Sequence, residues 1–383
     1  MSSSRTLFIV GAGFSKGAGL PLASDFTKEL LDVSSLKVGG PSRGLVELIR
    51  HFVDAAFAHK PSAAARYWPE LEDLFTTIDL SANSGHHLGK TYSPADLRAV
   101  RRALLIRIIR MLPQRYRAAK GRADPAWKQL ETFFERVDPA NSAFLSMNWD
   151  TVIEQGLDQA HNIRRIDYGC GAIAKTFVSG ELEPGPSTGS QVQVLKPHGS
   201  INWLYCDACR HVFSTQPSST SRVADQILRP RDVAVVKSKI NTVMKTTPSV
   251  TCPDCEADAL GTRIATFSFR KALDFPMHAR TWQTAESLLH SARNWVFIGY
   301  SLPPADYEFK YMLKRVQLSR KTPPNIILVT GGAADAAEQT RLTYQKFFGP
   351  KLSLKGGRVF LDGLSAATLD GLSSLKCLNE DSD

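Results

Sequence analysis

Residues 6–20 read TLFIVGAGFSKGAGL. Four apolar side chains, Leu7 to Val10, break without transition into a loop holding Gly11, Gly13, Gly17 and Gly19. A short continuous apolar run bounded by turn residues fits a strand buried on both faces. Such strands belong to parallel sheets covered by helices, which bind ligands at the carboxyl ends of their strands. The spacing departs from G-x-G-x-x-G, because Lys16 stands where the third glycine would be, and no G-K-S/T follows for a P-loop. Gly11 and Gly13 still allow backbone to approach a pyrophosphate, and Ser15 could donate to it. A tight structural turn is the competing reading.

Four further segments share this character: AFLSMN (143–148), VQVLKPHGS (192–200), NWVFIGYSL (294–302) and NIILVTG (325–331), with RVFLDG (358–363) as a last candidate. IATFSF (264–269) follows the second cysteine pair. Helical periodicity lies between them, with a predicted cap at Ser24 for a helix within 21–31 and a mostly helical stretch over 42–136. Residues 179–190 read as a turn-rich loop, and 206–255 as polar and irregular. The pattern predicts an α/β fold: a Rossmann-like, mostly parallel sheet with helices on both faces. The polar motifs IVGAG, SMNWD, KPHGS and IGYSL all fall at strand ends, so one cleft could collect them.

The chain's 383 residues suffice for one large domain with elaborations or for two domains. The expected organisation is a nucleotide-binding domain over 1–200 and 260–383, with a helical insertion at about 40–136. A cysteine module is expected over 201–259. No apolar run approaches the roughly 20 residues of a membrane span. LFIV is too short for the core of a secretory signal, so a cytoplasmic protein with no membrane partner is expected.

Cys206-x-x-Cys209 and Cys252-x-x-Cys255 form two C-x-x-C pairs. Without an export signal, that spacing favours a tetrahedral thiolate site for Zn²⁺ over disulfides. Four protein sulfurs leave no open position, so the metal would be structural. Cys170 and Cys377 read as ordinary thiols. The net charge is +10, which draws polyanions without choosing among them. It is densest over Arg98–Arg122, with nine Lys or Arg and no acid. Leu97, Val100, Leu104, Ile108 and Met111 recur there at helical spacing, after a start at Ser93–Pro94. The stretch reads as a surface helix with a basic face, or as a docking face for nucleic acid or a partner subunit.

Taken singly, His198 in KPHGS reads as a structural histidine. Asn148 and Asp150 in SMNWD read as a helix start capped by Asp150. Their order changes this. GAG-x-S, then N-x-D, then H-G, then two C-x-x-C pairs, then G-x-S (Gly299-Tyr300-Ser301) resembles the layout of the sirtuins, over about residues 7–330. In that family a Rossmann-type domain and a zinc module bind NAD between them. The departures point away from deacylation. GLPLASDF replaces G-I-P-D-F-R, MNWD replaces Q-N-I-D, GYS replaces G-T-S, and FSFRKAL stands where F-G-E would hold an acyl-lysine peptide. Gly-Leu-Pro, LEDLF, NWD, TWQTAESLL and IGYSLPPAD resemble the bacterial sirtuin-like NAD-consuming proteins, many of which act in antiphage defence.

The resemblance implies NAD hydrolysis to nicotinamide and ADP-ribose. Deacylation or ADP-ribosyl transfer, and non-catalytic binding of NAD, ADP-ribose or nucleic acid, are the alternatives. It implies that Asn148 holds the ribose or an attacking water. Asp150 would meet the nicotinamide amide or orient its loop, and His198 would act as general base. Gly11, Ala12, Gly13 and Ser15 would lie against phosphates or the nicotinamide ribose. Gly299, Ser301 and Thr330 would face the adenosine side, with Asp306 either beside them or capping a helix. Unrestrained hydrolysis would deplete NAD, so control by a homo-oligomer or a sensor partner is expected.

Overall fold

The computed structural model describes residues 5–34, 36, 41–58, 68–246, 249–258, 260–262, 264, 276–349 and 357–380. FSFRKAL, and IATFSF apart from Ile264, lie outside the described residues.

The large sheet has seven strands: β1 (Thr6–Val10), β2 (Ser142–Ser146), β3 (Arg165–Asp167), β6 (Gln191–Leu195), β10 (Asn294–Ile298), β11 (Asn325–Val329) and β12 (Val359–Phe360). Their order is β12-β11-β10-β1-β2-β6-β3, and every pairing is parallel. From β1 the chain builds outward on one side through β2, then returns to build the other side from β10. The crevice between the ends of β1 and β10 is therefore a topological switch point. A second sheet joins β4 (Ile173–Val178), β5 (Glu181–Pro184), β7 (Trp203–Cys206), β8 (Val212–Thr215) and β9 (Leu260–Gly261), in the order β5-β4-β8-β7-β9. Its β4–β5 hairpin occupies part of the stretch expected to be a loop.

Alternation along the strands feeds two cores. Phe8, Val10, Phe144, Val296 and Val329 enter one. Leu7, Ile9, Leu145, Trp295, Phe297 and Leu328 enter the other. The second core is closed by α10 (Pro276–Ser291), α11 (Tyr307–Ser319) and α12 (Ala334–Phe348), through residues such as Leu289, Leu313 and Tyr344. The first lies under α1 (Ala12–Lys16), α2 (Ala23–Leu31), α3 (Pro41–Phe57), α4 (Leu71–Ser84), α5 (Pro94–Ala119), α6 (Pro125–Arg136), α7 (Val152–His161), α8 (Thr220–Ile227), α9 (Pro230–Ile240) and α13 (Ala366–Ser374). The helical insertion thus lies entirely on one face of the sheet. The stretch between the cysteine pairs is not irregular, since α8 and α9 pack on α5.

α5 begins where Ser93 and Pro94 predict, with a reciprocal capping box between Ser93 and Asp96. Its environment narrows the reading of a basic surface. α5 packs against α3, α4, α8 and α9, and six of its arginines have partners within the fold, Arg107 buried, Arg101, Arg102, Arg110 and Arg115 partly exposed, and Arg98 exposed. Arg98 donates to the Ala82 carbonyl, Arg101 pairs with Asp79, and Arg102 with Asp232. Arg107 donates to carbonyls of Glu29, Leu30 and Asp32, Arg110 pairs with Asp225, and Arg115 with Glu29. These pairings balance much of the stretch's positive charge within the fold. Arg117, Lys120 and Arg122 alone stay exposed at its end. Ser24 caps nothing, because α2 starts one residue earlier, after Leu22.

Candidate functional site

Parallel register puts the motifs side by side. Val10 pairs with Ser146 and with Ile298, Ile298 with Val329, and Leu145 with Leu195. Gly11, Met147, Gly299 and Thr330 therefore continue neighbouring strands at one sheet edge. Backbone bonds extend the ladder there: Gly11 N–H donates to Ile298, Met147 N–H to Val10 and Gly299 N–H to Val329.

The two glycine loops meet at the switch point. Gly13 N–H donates to the Gly299 carbonyl at 2.9 Å. A Cβ on Gly299 would stand 2.2 Å from the Phe14 nitrogen, and Gly299 itself has φ +61°. These glycines permit a backbone-to-backbone contact that no side chain allows. The N–H groups of Gly11, Gly13 and Phe14 are already taken by carbonyls. What the loop presents to the crevice is the exposed Gly13, the half-buried Ala12 and, at its inner end, the Ser15 hydroxyl.

Ser15 joins that loop to SMNWD. Its hydroxyl donates to Asp150 Oδ2 at 2.7 Å and accepts from Asn148 Nδ2 at 3.0 Å. Asp150 Oδ1 accepts from Val152 N–H at 3.0 Å, at the first turn of α7. Asp150 thus holds the first N–H of α7 from one residue before the N-cap Thr151 and ties that turn to Ser15. Ser15 and Asp150 are buried, whereas Asn148 is half-exposed. His198, also buried, follows β6, and its Nδ1–H donates to the Met147 carbonyl at 3.3 Å. The His198 ring lies 6.4 Å from Trp282 of α10, which leads through Phe309 to Tyr300 at centroid steps of 6.3 and 5.6 Å. An aromatic wall thus runs from the histidine to the GYS loop.

On the far side of the crevice, Thr330 is buried and Ser301 is exposed. Asp306 makes no capping bond to α11. Its Oδ2 accepts from the Tyr300 hydroxyl at 2.7 Å, which fixes the loop after β10.

A buried polar network under the cluster escapes sequence reasoning. Lys196 Nζ, wholly buried, donates to the Asp150 carbonyl, to Glu154 Oε1 at 3.0 Å and to Ser200 Oγ at 2.8 Å. Tyr168 donates to Glu154 Oε1 at 3.2 Å, and Asn202 Nδ2 donates to the Tyr168 oxygen at 3.2 Å. Ile201 N–H donates to the Trp149 carbonyl. These bonds lash the Asn148 loop to the His198 loop. The available signal was a lysine ending an apolar strand and a glutamate inside the apolar turn VIEQGL.

The four paired cysteines converge on one point. Their sulfurs all lie within 4.8 Å of one another, with Cys206–Cys255 at 3.6 Å and Cys209–Cys252 at 3.7 Å. Tetrahedral Zn–S bonds of about 2.3 Å require sulfurs about 3.8 Å apart, so the donor set fits zinc. His211 Nδ1 lies 2.5 Å from Asp254 Oδ2, tying the two C-x-x-C turns together. Cys170 and Cys377 are buried apart from it, and burial pushes their thiols up to about 11 and about 12. Among the described residues no helix is long and apolar enough to cross a membrane.

No family model matches the chain, and no curated protein is found similar to it. Solved structures are. One from work on sirtuin substrate affinity shares 15% identity over 86% of this chain and 83% of that one, with a TM-score of 0.37. A Sir2 structure with a p53 peptide and NAD+ shares 12% over 98% and 94%, with a TM-score of 0.34. A Sir2 homologue variant in complex with ADP-ribose shares 14% over 97% and 92%, with a TM-score of 0.36. Similarity at this level carries no weight for activity, which rests on the residues themselves.

Proposed function

We propose that the chain hydrolyses NAD+ at the nicotinamide–ribose bond, releasing nicotinamide and ADP-ribose. The observation that supports this best is the Ser15–Asp150–Asn148 cluster at the switch-point crevice, with His198 on the adjoining strand end. Nicotinamide leaves as a neutral molecule, and the ribose gains oxocarbenium character as it goes. The enzyme's task is to fix the dinucleotide and present a water to one face of the sugar. The half-exposed Asn148 amide holds the ribose or that water, its orientation set by Ser15. Both Asp150 oxygens are engaged, so its part is to orient the cluster. His198 takes the proton from water or from a ribose hydroxyl. Gly11, Ala12 and Gly13 form the wall for the pyrophosphate. Gly299, Ser301 and Thr330 line the adenosine side. The four cysteines hold a structural zinc ion, which supplies no open coordination position.

The finer reading is of a regulated effector of bacterial antiphage defence, held in check by assembly or by a partner. It rests on the motif likeness alone. It is checked by whether phage infection lowers NAD in bacteria that express the chain.

Product analysis with and without an acetyl-lysine peptide tests the reaction class. Hydrolysis gives equal nicotinamide and ADP-ribose in both reactions. Nicotinamide release that needs the peptide, with O-acetyl-ADP-ribose formed, would assign a deacylase instead.

A further inference from the structure

α10 packs on β6, the strand that leads to His198, and then runs into β10, the strand that leads to Gly299. Three of its side chains, Trp282, Ala285 and Leu289, recur at helical spacing and join the second core. Ala285 and Leu289 are wholly buried there, whereas Trp282 keeps part of its surface open. Trp282 is also the member of the three whose ring meets His198, at 6.4 Å and tilted by 57°.

A general base must present its ring nitrogen to the reacting oxygen in a fixed direction. The bond from Nδ1 to the Met147 carbonyl is long, at 3.3 Å. A hydrogen bond at one nitrogen leaves the imidazole plane able to swing about the axis through that bond. The indole lies against the ring and limits that swing.

The indole is itself held firmly. Thr281, beside it, donates to the Tyr168 carbonyl at 3.4 Å, and Thr284 donates to the Gly169 carbonyl at 3.3 Å. Gly169 has φ +68°, and a Cβ there would stand 2.7 Å from Leu195 Cδ2 and 3.0 Å from Thr284 Cβ. A bare glycine thus lets α10 close onto the end of β6, three residues before His198. Behind the indole stands Phe309, at 6.3 Å, and behind that Tyr300, at 5.6 Å. Tyr300 is fixed at both ends: its hydroxyl donates to Asp306, and its carbonyl accepts from the Tyr344 hydroxyl at 2.7 Å.

We infer that Trp282 is a positioning residue for His198. Its ring sets the plane of the imidazole, and the contacts of α10 with Tyr168, Gly169 and Phe309 set the ring. The activity part of this inference rests on the reading of His198 as the base of NAD+ cleavage.

The test compares NAD+ cleavage by the wild type, Trp282→Leu, Trp282→Phe, His198→Ala and Trp282→Leu/His198→Ala, with circular dichroism reporting the fold. Trp282→Leu is expected to lower kcat about tenfold while KM stays within about twofold, and Trp282→Phe to recover most of the loss. On a His198→Ala background, Trp282→Leu should cost nothing further, because its effect passes through the histidine. Full activity in Trp282→Leu, a change in KM alone, or a loss that adds to that of His198→Ala would each overturn the assignment. A second measurement does not need turnover. In the full chain labelled with 13C at histidine Cε1, the His198 signal is identified by its absence in His198→Ala. That signal should move in Trp282→Leu, as the indole ring current is lost, and move less in Trp282→Phe. An unmoved signal would overturn the positioning role. A signal that moves as expected in a protein that leaves NAD+ intact would keep the contact and overturn the NAD reading instead.

Discussion

At the scale of single residues, the cleft depends on groups that face each other in pairs. Lys196 and Glu154 are both buried and bonded to each other at 3.0 Å. Removing one partner of such a pair leaves an uncompensated interior charge, at a cost of about 3–5 kcal/mol, whereas replacing both with apolar residues can be nearly neutral. Lys196→Met is therefore expected to lower stability by several kcal/mol in denaturant unfolding, and Lys196→Met/Glu154→Leu to recover most of it. The double variant should still cleave NAD poorly, because the tie between the Asn148 and His198 loops is gone. Full activity in that variant would show that the tie is not needed. Gly299→Ala is a sharper change. A side chain at φ +61°, driven into the Phe14 backbone, cannot be relieved by a rotamer. A loss of about 3 kcal/mol is expected, read as a lowered thermal midpoint together with weakened NAD binding.

At the scale of elements, the strands were legible and their surroundings less so. LFIV, AFLS, NWVFI and NIILV carry continuous apolar character because both their faces are covered, and a short chain of such residues has few other fates. The polar motifs at their ends followed from the same pattern, and Ser15, Asn148 and Asp150 do meet. α5 shows the limit. Its arginines read as a basic face because sequence displays charge and not partners. Asp79, Asp225, Asp232 and Glu29 lie far away in the chain and supply the missing half. The Lys196 network was hidden for the same reason, since its members come from α7, the turn before it and the segments that follow β3 and β6. The β4–β5 hairpin was missed because SGELEPGPS is written in turn residues. One consequence is testable by titration with DNA. The chain should show no steeply salt-dependent binding traceable to residues 98–115, and Arg102→Ala should lower stability by exposing the cost of burying Asp232 unpaired.

At the scale of the whole molecule, one sheet separates two cores, and the cysteine cluster hangs from the smaller sheet beside them. Tyr92, Tyr116, Tyr168, Tyr300 and Tyr344 are all held above the ordinary phenol pKa, burial being the first cause for each. A phenol whose folded pKa is raised adds stability that is complete below about pH 10, the unfolded value, and is lost as pH rises through the folded value. Absorbance titration should therefore show these five of nine tyrosines resisting ionisation until the chain unfolds cooperatively in alkali. Chelation of a zinc-loaded preparation at neutral pH should expose four reactive thiols and lower the thermal midpoint. Cys170 and Cys377 should stay masked until global unfolding. The central claim concerns the crevice where β1, β2, β6 and β10 end. Its most direct test is chromatography of NAD+ incubated with the purified chain, beside Asn148→Ala and His198→Ala. Release of nicotinamide and ADP-ribose by the wild type, reduced at least about 100-fold in each folded variant, is the predicted result. Undiminished cleavage in both variants, or NAD+ neither bound nor cleaved by the wild type, would contradict it.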